Sequence, residues 1–169
     1  VRQREECIAL GDLIARVRPR LVERAEQAGV TLSENVNEAA RHTVVRVDVS
    51  AIEQILFNLV DNACKYAAPT ATEKVIHVEA LPEHGRFAML RVRDHGQGIS
   101  AAAARRLFQP FSKSAHEAAH TAPGVGLGLA LCRRLSRSMG GDLGLASGSG
   151  PGAAFVLSLP VNAPSSAAR

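Results

Sequence analysis

The sequence predicts an α/β sandwich, a mixed, mostly antiparallel sheet covered on one face by helices. Three observations carry that expectation. Residues 75–81 and 87–93 alternate apolar and polar around the turn Glu83-His84-Gly85-Arg86, the pattern of a hairpin. Runs near 10–28, 51–67 and 126–139 space their apolar residues three and four apart, the helical period. The 169 residues are 46% hydrophobic with a mean hydropathy of +0.02, enough for one core in a single domain expected over 1–162.

Leu10, Ile14, Val17, Leu21, Ala25 and Ala28 share the face of the first helix, and Gly29 stands where a cap belongs. Val30, Leu32 and Val36 read as a strand, and Val44-Val45-Arg46-Val47 as another. Ser50 and Glu53 form an S-x-x-E capping box, so a helix is expected from about Ala51 to Ala67 or Ala68, stopping before Pro69. A short helix is expected over 100–107 and a longer one over 126–139, with Leu127, Leu131, Leu135 and Met139 on its core face and Gly140-Gly141 at its end. Phe155, Leu157 and Leu159 make a last strand closed by Pro160, and 163–169 reads as a disordered tail. Residues 109–125 carry no period, and an unpatterned stretch of that length inside a domain is expected to be a functional lid.

Bulk properties exclude several classes. No apolar run approaches the ~18 residues that span a bilayer, and no signal-peptide pattern opens the chain, so direct membrane contact is not expected. The chain begins in mid-pattern at Val1 and reads as a piece of a longer protein. Cys7, Cys64 and Cys132 are odd in number, lack C-x-x-C spacing and read as reduced core thiols, which suggests the cytoplasm. Net charge is +4, but aromatics are only 4% and are not interleaved with the basic residues, so nucleic acid is not an expected partner.

The chemistry concentrates in four stretches. In "FNLVDNACKYA" the residues Asn58, Asn62, Lys65 and Tyr66 stand at i, i+4, i+7 and i+8, a polar face beside the apolar stripe Ile52, Ile55, Leu56, Leu59 and Ala63. "RDHGQGI" places Asp94, Gly96 and Gly98 directly after a strand. "PGVGLGLAL" places Gly124, Gly126 and Gly128 before a helix, where unpaired N–H groups and the positive dipole end suit phosphate oxygens. "GSGPGAAF" precedes the last strand. Neither G-x-x-x-x-G-K-[ST] nor G-x-G-x-x-G in a βαβ frame is present, so a P-loop and a dinucleotide site are both excluded.

In this order the stretches resemble the GHKL ATP-binding fold of histidine kinases, type II topoisomerases, mismatch-repair ATPases and the heat-shock chaperone ATPase. The resemblance is to the catalytic domain of bacterial sensor histidine kinases and covers about 10–160. "QILFNLVDNACKYA" is similar to that family's asparagine box, "DHGQGI" and "GVGLGLAL" to its first two glycine boxes, "LFQPF" to its phenylalanine box, and "GSGPGAAF" to its third glycine region.

The resemblance implies ATP and Mg²⁺ as ligands. Asn62 would hold Mg²⁺ through its amide oxygen, Asn58 would touch the metal shell or a phosphate, Lys65 would neutralise phosphate charge and Tyr66 would lie against the nucleotide. Asp94 would accept a hydrogen bond from adenine's amine and conflict with guanine's carbonyl. Gly96 and Gly98 would open the backbone to the base, with Ile99 packed on it. Gly124, Val125, Gly126, Leu127, Gly128 and Leu129 would hinge the lid and present amides to the phosphates, and Lys113 would approach them from the lid. Phe108 and Phe111 would anchor the lid base or belong to the core.

Asn58 stands where hydrolysing relatives carry a glutamate base, and an amide takes no proton from water, so transfer to a docked acceptor is expected over hydrolysis. The implied partners are a phosphoacceptor and dimerisation domain of the same protein and, indirectly, a response regulator. None of the six histidines has the family's phosphoacceptor setting, so the chain reads as the catalytic domain alone, monomeric when isolated, with a parent protein that is cytoplasmic or membrane-anchored. Two departures stand out. Ala153-Ala154-Phe155 lacks the hydroxyl usual before the last-strand Phe, and "HEAAH" at 116–120 matches a zinc-protease pattern by chance, in a stretch with no helical period and no third ligand. An anti-sigma-factor serine kinase of the same fold and a nucleotide-sensing pseudokinase are the rival readings. Glu in place of Asn58 would mark the first, and the missing hydroxyl at Ala154 supports the second.

Overall fold

The computed structural model describes residues 4–109, 128–146 and 152–162. Strand β1 (Glu5–Ala9) leads into helix α1 (Leu10–Gln27), then β2 (Thr31–Val36), the short α2 (Glu38–Arg41), β3 (Val44–Asp48) and α3 (Val49–Asn62). A π-helical turn (Ala63–Ala67) and a 3₁₀ turn (Ala68–Thr70) extend α3. The hairpin β4 (Val75–His84) and β5 (Phe87–Arg93) follows, then α4 (Ala101–Arg106), α5 (Gly128–Ser138), β6 (Asp142–Leu145) and β7 (Ala154–Pro160).

The main sheet has the order β2-β4-β5-β7-β6, with β2–β4 parallel and the other pairings antiparallel. Inward residues alternate as expected: Ile76, Val78 and Ala80 on β4, Ala88, Leu90 and Val92 on β5, and Phe155, Leu157 and Leu159 on β7 are buried, while their neighbours along each strand are mostly half-buried. Against that face lie Leu13, Ile14, Val17 and Leu21 of α1 and Ile52, Ile55, Leu56 and Leu59 of α3, in one core. β1 pairs with β3 in a separate two-stranded antiparallel sheet.

Four details differ from expectation. Asp48, the last residue of β3, caps α3: its Oδ1 accepts from Ser50 N at 3.0 Å and Ala51 N at 3.3 Å, so the helix starts before Ser50 and the capping box is not used. As expected, Gly29 closes α1: it takes φ +70° just past Ala28, and Gly29 N and Val30 N donate to the Glu26 and Ala25 carbonyls at 3.0 and 2.9 Å. On α5 the small residues Ala130, Cys132 and Ser136 are buried and Leu131 is 40% exposed, because small side chains let α5 approach α3 closely. Cys7 is exposed, whereas Cys64 and Cys132 are buried as expected. The hairpin turn is tighter than its composition suggests: His84 pairs with Phe87 across Gly85-Arg86, and Gly85 takes φ +61°.

Candidate nucleotide site

Three contacts gather the sequence stretches around the end of α3. A Cβ on Gly96 would lie 2.7 Å from that of Ala67, so the loop after β5 abuts the π-helical turn directly. A Cβ on Gly128 would lie 2.7 Å from Asn58 Oδ1, so the described start of α5 abuts the helix face that carries the amides. Gly98, at φ +80°, faces the Gly152 carbonyl. Residues far apart in sequence thus converge on one place.

Asp94 continues the inward alternation of Ala88, Leu90 and Val92, which puts its carboxylate on the helix-covered face at 9% exposure. Its Oδ1 accepts from Gly96 N and from Ala153 N, both at 3.0 Å, while its own N–H donates to the Ala153 carbonyl. Oδ2 makes no hydrogen bond among the described residues. No fully buried side-chain oxygen there lacks a partner, so Oδ2 keeps contact with solvent and is open to a ligand. One oxygen builds the loop and the other is not engaged by it.

Asn58 and Asn62 are both half-buried on α3. Burial pushes the thiol of Cys132 on α5 up to about 12, with the Asn58 side chain pulling slightly the other way. Cys132 is therefore held as a neutral thiol. Gly128→Ala is expected to push the Asn58 amide from this position, because the new methyl meets the end of a movable side chain. ATP affinity should fall several-fold with Tm held or slightly raised, Ala being the better helix former. Paired melting and titration curves check it, and unchanged affinity would remove Asn58 from the site.

The π-helical turn after Asn62 redirects the next two polar residues. Lys65 Nζ lies 3.0 Å from Asp61 Oδ2, and Asp61 Oδ1 accepts from Arg24 Nε of α1 at 2.7 Å. Burial pushes the Asp61 carboxyl up, but the hydrogen bonds from Arg24 and Lys65 outweigh it and hold the group below its ordinary range. Lys65 thus reaches any anion from a position already shared with a carboxylate. Tyr66 is 38% exposed. Ile99 and Leu129 are half-buried against the core. Phe108 packs edge-on against Phe155, with ring centroids 6.4 Å apart, and Arg133 stacks over it at 4.4 Å. Phe111, Lys113, the 116–120 match, Gly124, Val125, Gly126 and Leu127 lie outside the described residues. Asp61 and Cys132 were not singled out in the sequence. The i,i+4 spacing of Asp61 and Lys65 is a signal for the first, whereas no local pattern marks the second.

The donor set bears on which metal would fit. Among the described residues no group of three or more His, Cys, Asp or Glu is placed to hold an ion. The Asn62 amide makes no hydrogen bond among the described residues and offers one neutral oxygen. A single hard oxygen suits Mg²⁺, which keeps several waters and takes its other ligands from phosphates.

Residues 47–163 match the family of histidine kinase-, DNA gyrase B- and HSP90-like ATPases. The chain belongs to that family. An uncharacterized sensor-like histidine kinase of Rhizobium meliloti is 32% identical over 164 residues, 97% of this chain and 30% of that protein. The virulence sensor protein BvgS of Bordetella bronchiseptica is 41% identical over 117 residues, 68% of this chain and 9% of that protein. The chain therefore spans a third or less of these relatives' lengths. Among solved structures, the mycobacterial sensor histidine kinase MprB is 26% identical with a TM-score of 0.70, covering 92% of this chain and 98% of that one. Full-length ShkA, solved with AMPPNP, is 26% identical with a TM-score of 0.74, covering 95% of this chain and 32% of that one. Within the ATPase family the chain is the ATP-binding catalytic domain of a histidine kinase.

Proposed function

We propose that residues 1–162 form one domain that binds ATP with Mg²⁺ and transfers the γ-phosphoryl to a histidine on a separate dimerisation domain, in two-component signalling. The single observation that carries this reading is Asp94: its Oδ1 is committed to two backbone N–H groups and its Oδ2 is open, the arrangement that adenine's exocyclic amine needs. Support also comes from the AMPPNP bound in ShkA. The parent protein would be active in the cytoplasm. No described helix is long and apolar enough to cross a membrane.

In this reading Asp94 selects the base, while Gly96 and Gly98 let the backbone approach it. Asn58, beside Gly128, touches the phosphate end. Asn62 would hold Mg²⁺, which when bound neutralises phosphate charge as the γ-phosphoryl leaves. Lys65 adds a cation whose position Asp61 controls. Gly124, Val125, Gly126, Leu127, Gly128 and Leu129 would close over the phosphates with Lys113. Asn58 is an amide and takes no proton from water. The acceptor imidazole forms the new N–P bond, the P–O bond to ADP breaks, and ADP departs with the electron pair.

Calorimetric titration of ATP, ADP and GTP with and without Mg²⁺ tests binding, and phosphotransfer to the parent's helical domain tests the reaction. Binding without transfer would favour a nucleotide-sensing pseudokinase. Asn62→Ala is expected to erase most of the Mg²⁺-dependent gain in ATP affinity, about tenfold or more, because a one-oxygen protein contribution has no substitute nearby. Titrations that keep the full magnesium effect would show that the ion is held without Asn62.

A further inference from the structure

Behind the base-reading loop, on the open face of the sheet, two histidines meet. Ile76 and Val78 point into the core, so His77 between them points away. Asp94 points inward, so His95 also turns outward. Their Nε2 atoms are 2.7 Å apart, with ring centroids separated by 4.9 Å and the planes at 64°. At that distance one nitrogen must donate and the other accept, so a single proton lies between them. The His95 side chain is 11% exposed and its carbonyl accepts from Thr72 N at 3.2 Å, so this residue is held from both sides.

We propose that His77 is a positioning residue for the Asp94–Gly98 turn, acting through the proton it shares with His95, and that acidification loosens the turn and weakens nucleotide binding. The proposal rests on the reading of Asp94 as the adenine contact. His95 lies between Asp94 and Gly96, whose N–H is one of the two donors to Asp94 Oδ1, so rotating His95 disturbs the carboxylate directly. A first added proton goes to the Nδ1 of the donor ring and leaves the bridge in place. A second, on the acceptor Nε2, sets two N–H groups against each other at 2.7 Å with no acceptor between them.

The surroundings supply somewhere for His95 to go. Glu73, before β4, holds its carboxylate 3.8 Å from His95 Nε2 and is 67% exposed. The other charged groups facing His77 are Arg93, its cross-strand partner on β5, and Glu79 on β4, which is engaged with Arg91 at 2.9 Å. Ser33 of β2, opposite His77, is uncharged, and Lys74 is turned to the Ala68 carbonyl. A doubly protonated pair is therefore relieved by His95 turning from His77 to Glu73.

Burial, then the adjacent His95, hold the His77 imidazolium below the ordinary histidine range, with Glu79 opposing. The sign follows. A histidine with a depressed folded value contributes stability in full above the unfolded value of about 6.5, and that contribution is lost as pH falls toward the folded value.

The test compares ATP affinity at pH 7.5 and 5.5 for the 169-residue chain and for His77→Gln, whose amide keeps a hydrogen bond to His95 but takes no proton. Titration of ATP itself is common to both proteins and cancels in the ratio. The wild type is expected to lose about fivefold more affinity on acidification than the variant. Parallel profiles would overturn the proposal. Ring titration of the nucleotide-free wild type by NMR decides the shared proton independently of any variant's folding. Coupled curves with His77 ionising below about 6.5 support it, and two independent curves at the ordinary value overturn it. If ATP fails to bind at pH 7.5, the nucleotide reading falls and with it the link to binding, while the ring titration still decides the pair.

Discussion

Asp94→Asn is expected to lower ATP affinity by about tenfold or more and to narrow or reverse the preference for ATP over GTP, with little change in Tm. The geometry makes the substitution a clean one. Gly96 N and Ala153 N both need an acceptor at Oδ1, and the amide oxygen of asparagine supplies it. The loop is therefore kept and the amide is held in one orientation. Its Nδ2 then replaces Oδ2, presenting a donor to adenine's donor and a suitable partner to guanine's carbonyl. A hydrogen bond to a charged group is worth about 1.5–3 kcal/mol, and ~1.4 kcal/mol is tenfold in affinity. Competition titrations with ATP and GTP on wild type and variant check it. An unchanged ratio would show that the base is read elsewhere.

Gly152→Ala is expected to damage fold and binding together. Gly152 takes φ +94°, where an L side chain is strained, and an added Cβ would lie 2.1 Å from the Asp94 carbonyl oxygen and 2.9 Å from its Oδ1. The first neighbour is backbone and cannot step aside. It belongs to the peptide that runs into the Asp94–Gly96 turn, and the N–H of the same residue donates to the Ala153 carbonyl. Strain of about 1–2 kcal/mol for the conformation plus the overlap gives about 3 kcal/mol or more. For a domain of this size that is a fall in Tm of roughly 10 °C. Calorimetry measures it, and ATP titration below the transition separates the two losses. A variant that melts and binds like the wild type would mean that the loops after β5 and before β7 do not pack as described.

Gly128→Ala makes the contrasting case. There the methyl meets a side-chain amide that can move, so binding suffers and stability does not. Whether a lost glycine costs the fold or the ligand depends on what its missing Cβ would touch.

Much of the architecture was legible because it rests on local periods. The stripe Ile52, Ile55, Leu56, Leu59 survives almost any context, and the alternation in β4 and β5 needed only a turn between them. The errors fall where two local signals compete or where a partner is distant. Asp48 and Ser50 are both good caps, and Asp48 prevails because β3, paired with β1, delivers the chain to α3 at that residue. β1 reads as polar, and only its pairing with β3 makes it a strand. Leucine spacing on α5 pointed to Leu131 as core, yet the close approach to α3 selected the smaller residues.

The sequence by itself determined the fold class, the family and the candidate site: two amides on one helix face, an aspartate after a strand, and glycines in the loops around them. These are written in short-range spacing, which the chain carries wherever it goes. Tertiary structure alone decided which oxygen of Asp94 is left open, that Lys65 shares Asp61 with Arg24, that Gly128 comes up against Asn58, and that His77 and His95 meet at Nε2. Each of those pairings except Asp61–Lys65 joins segments at least 18 residues apart, and no local period encodes a contact that exists only once sheet and helices have packed.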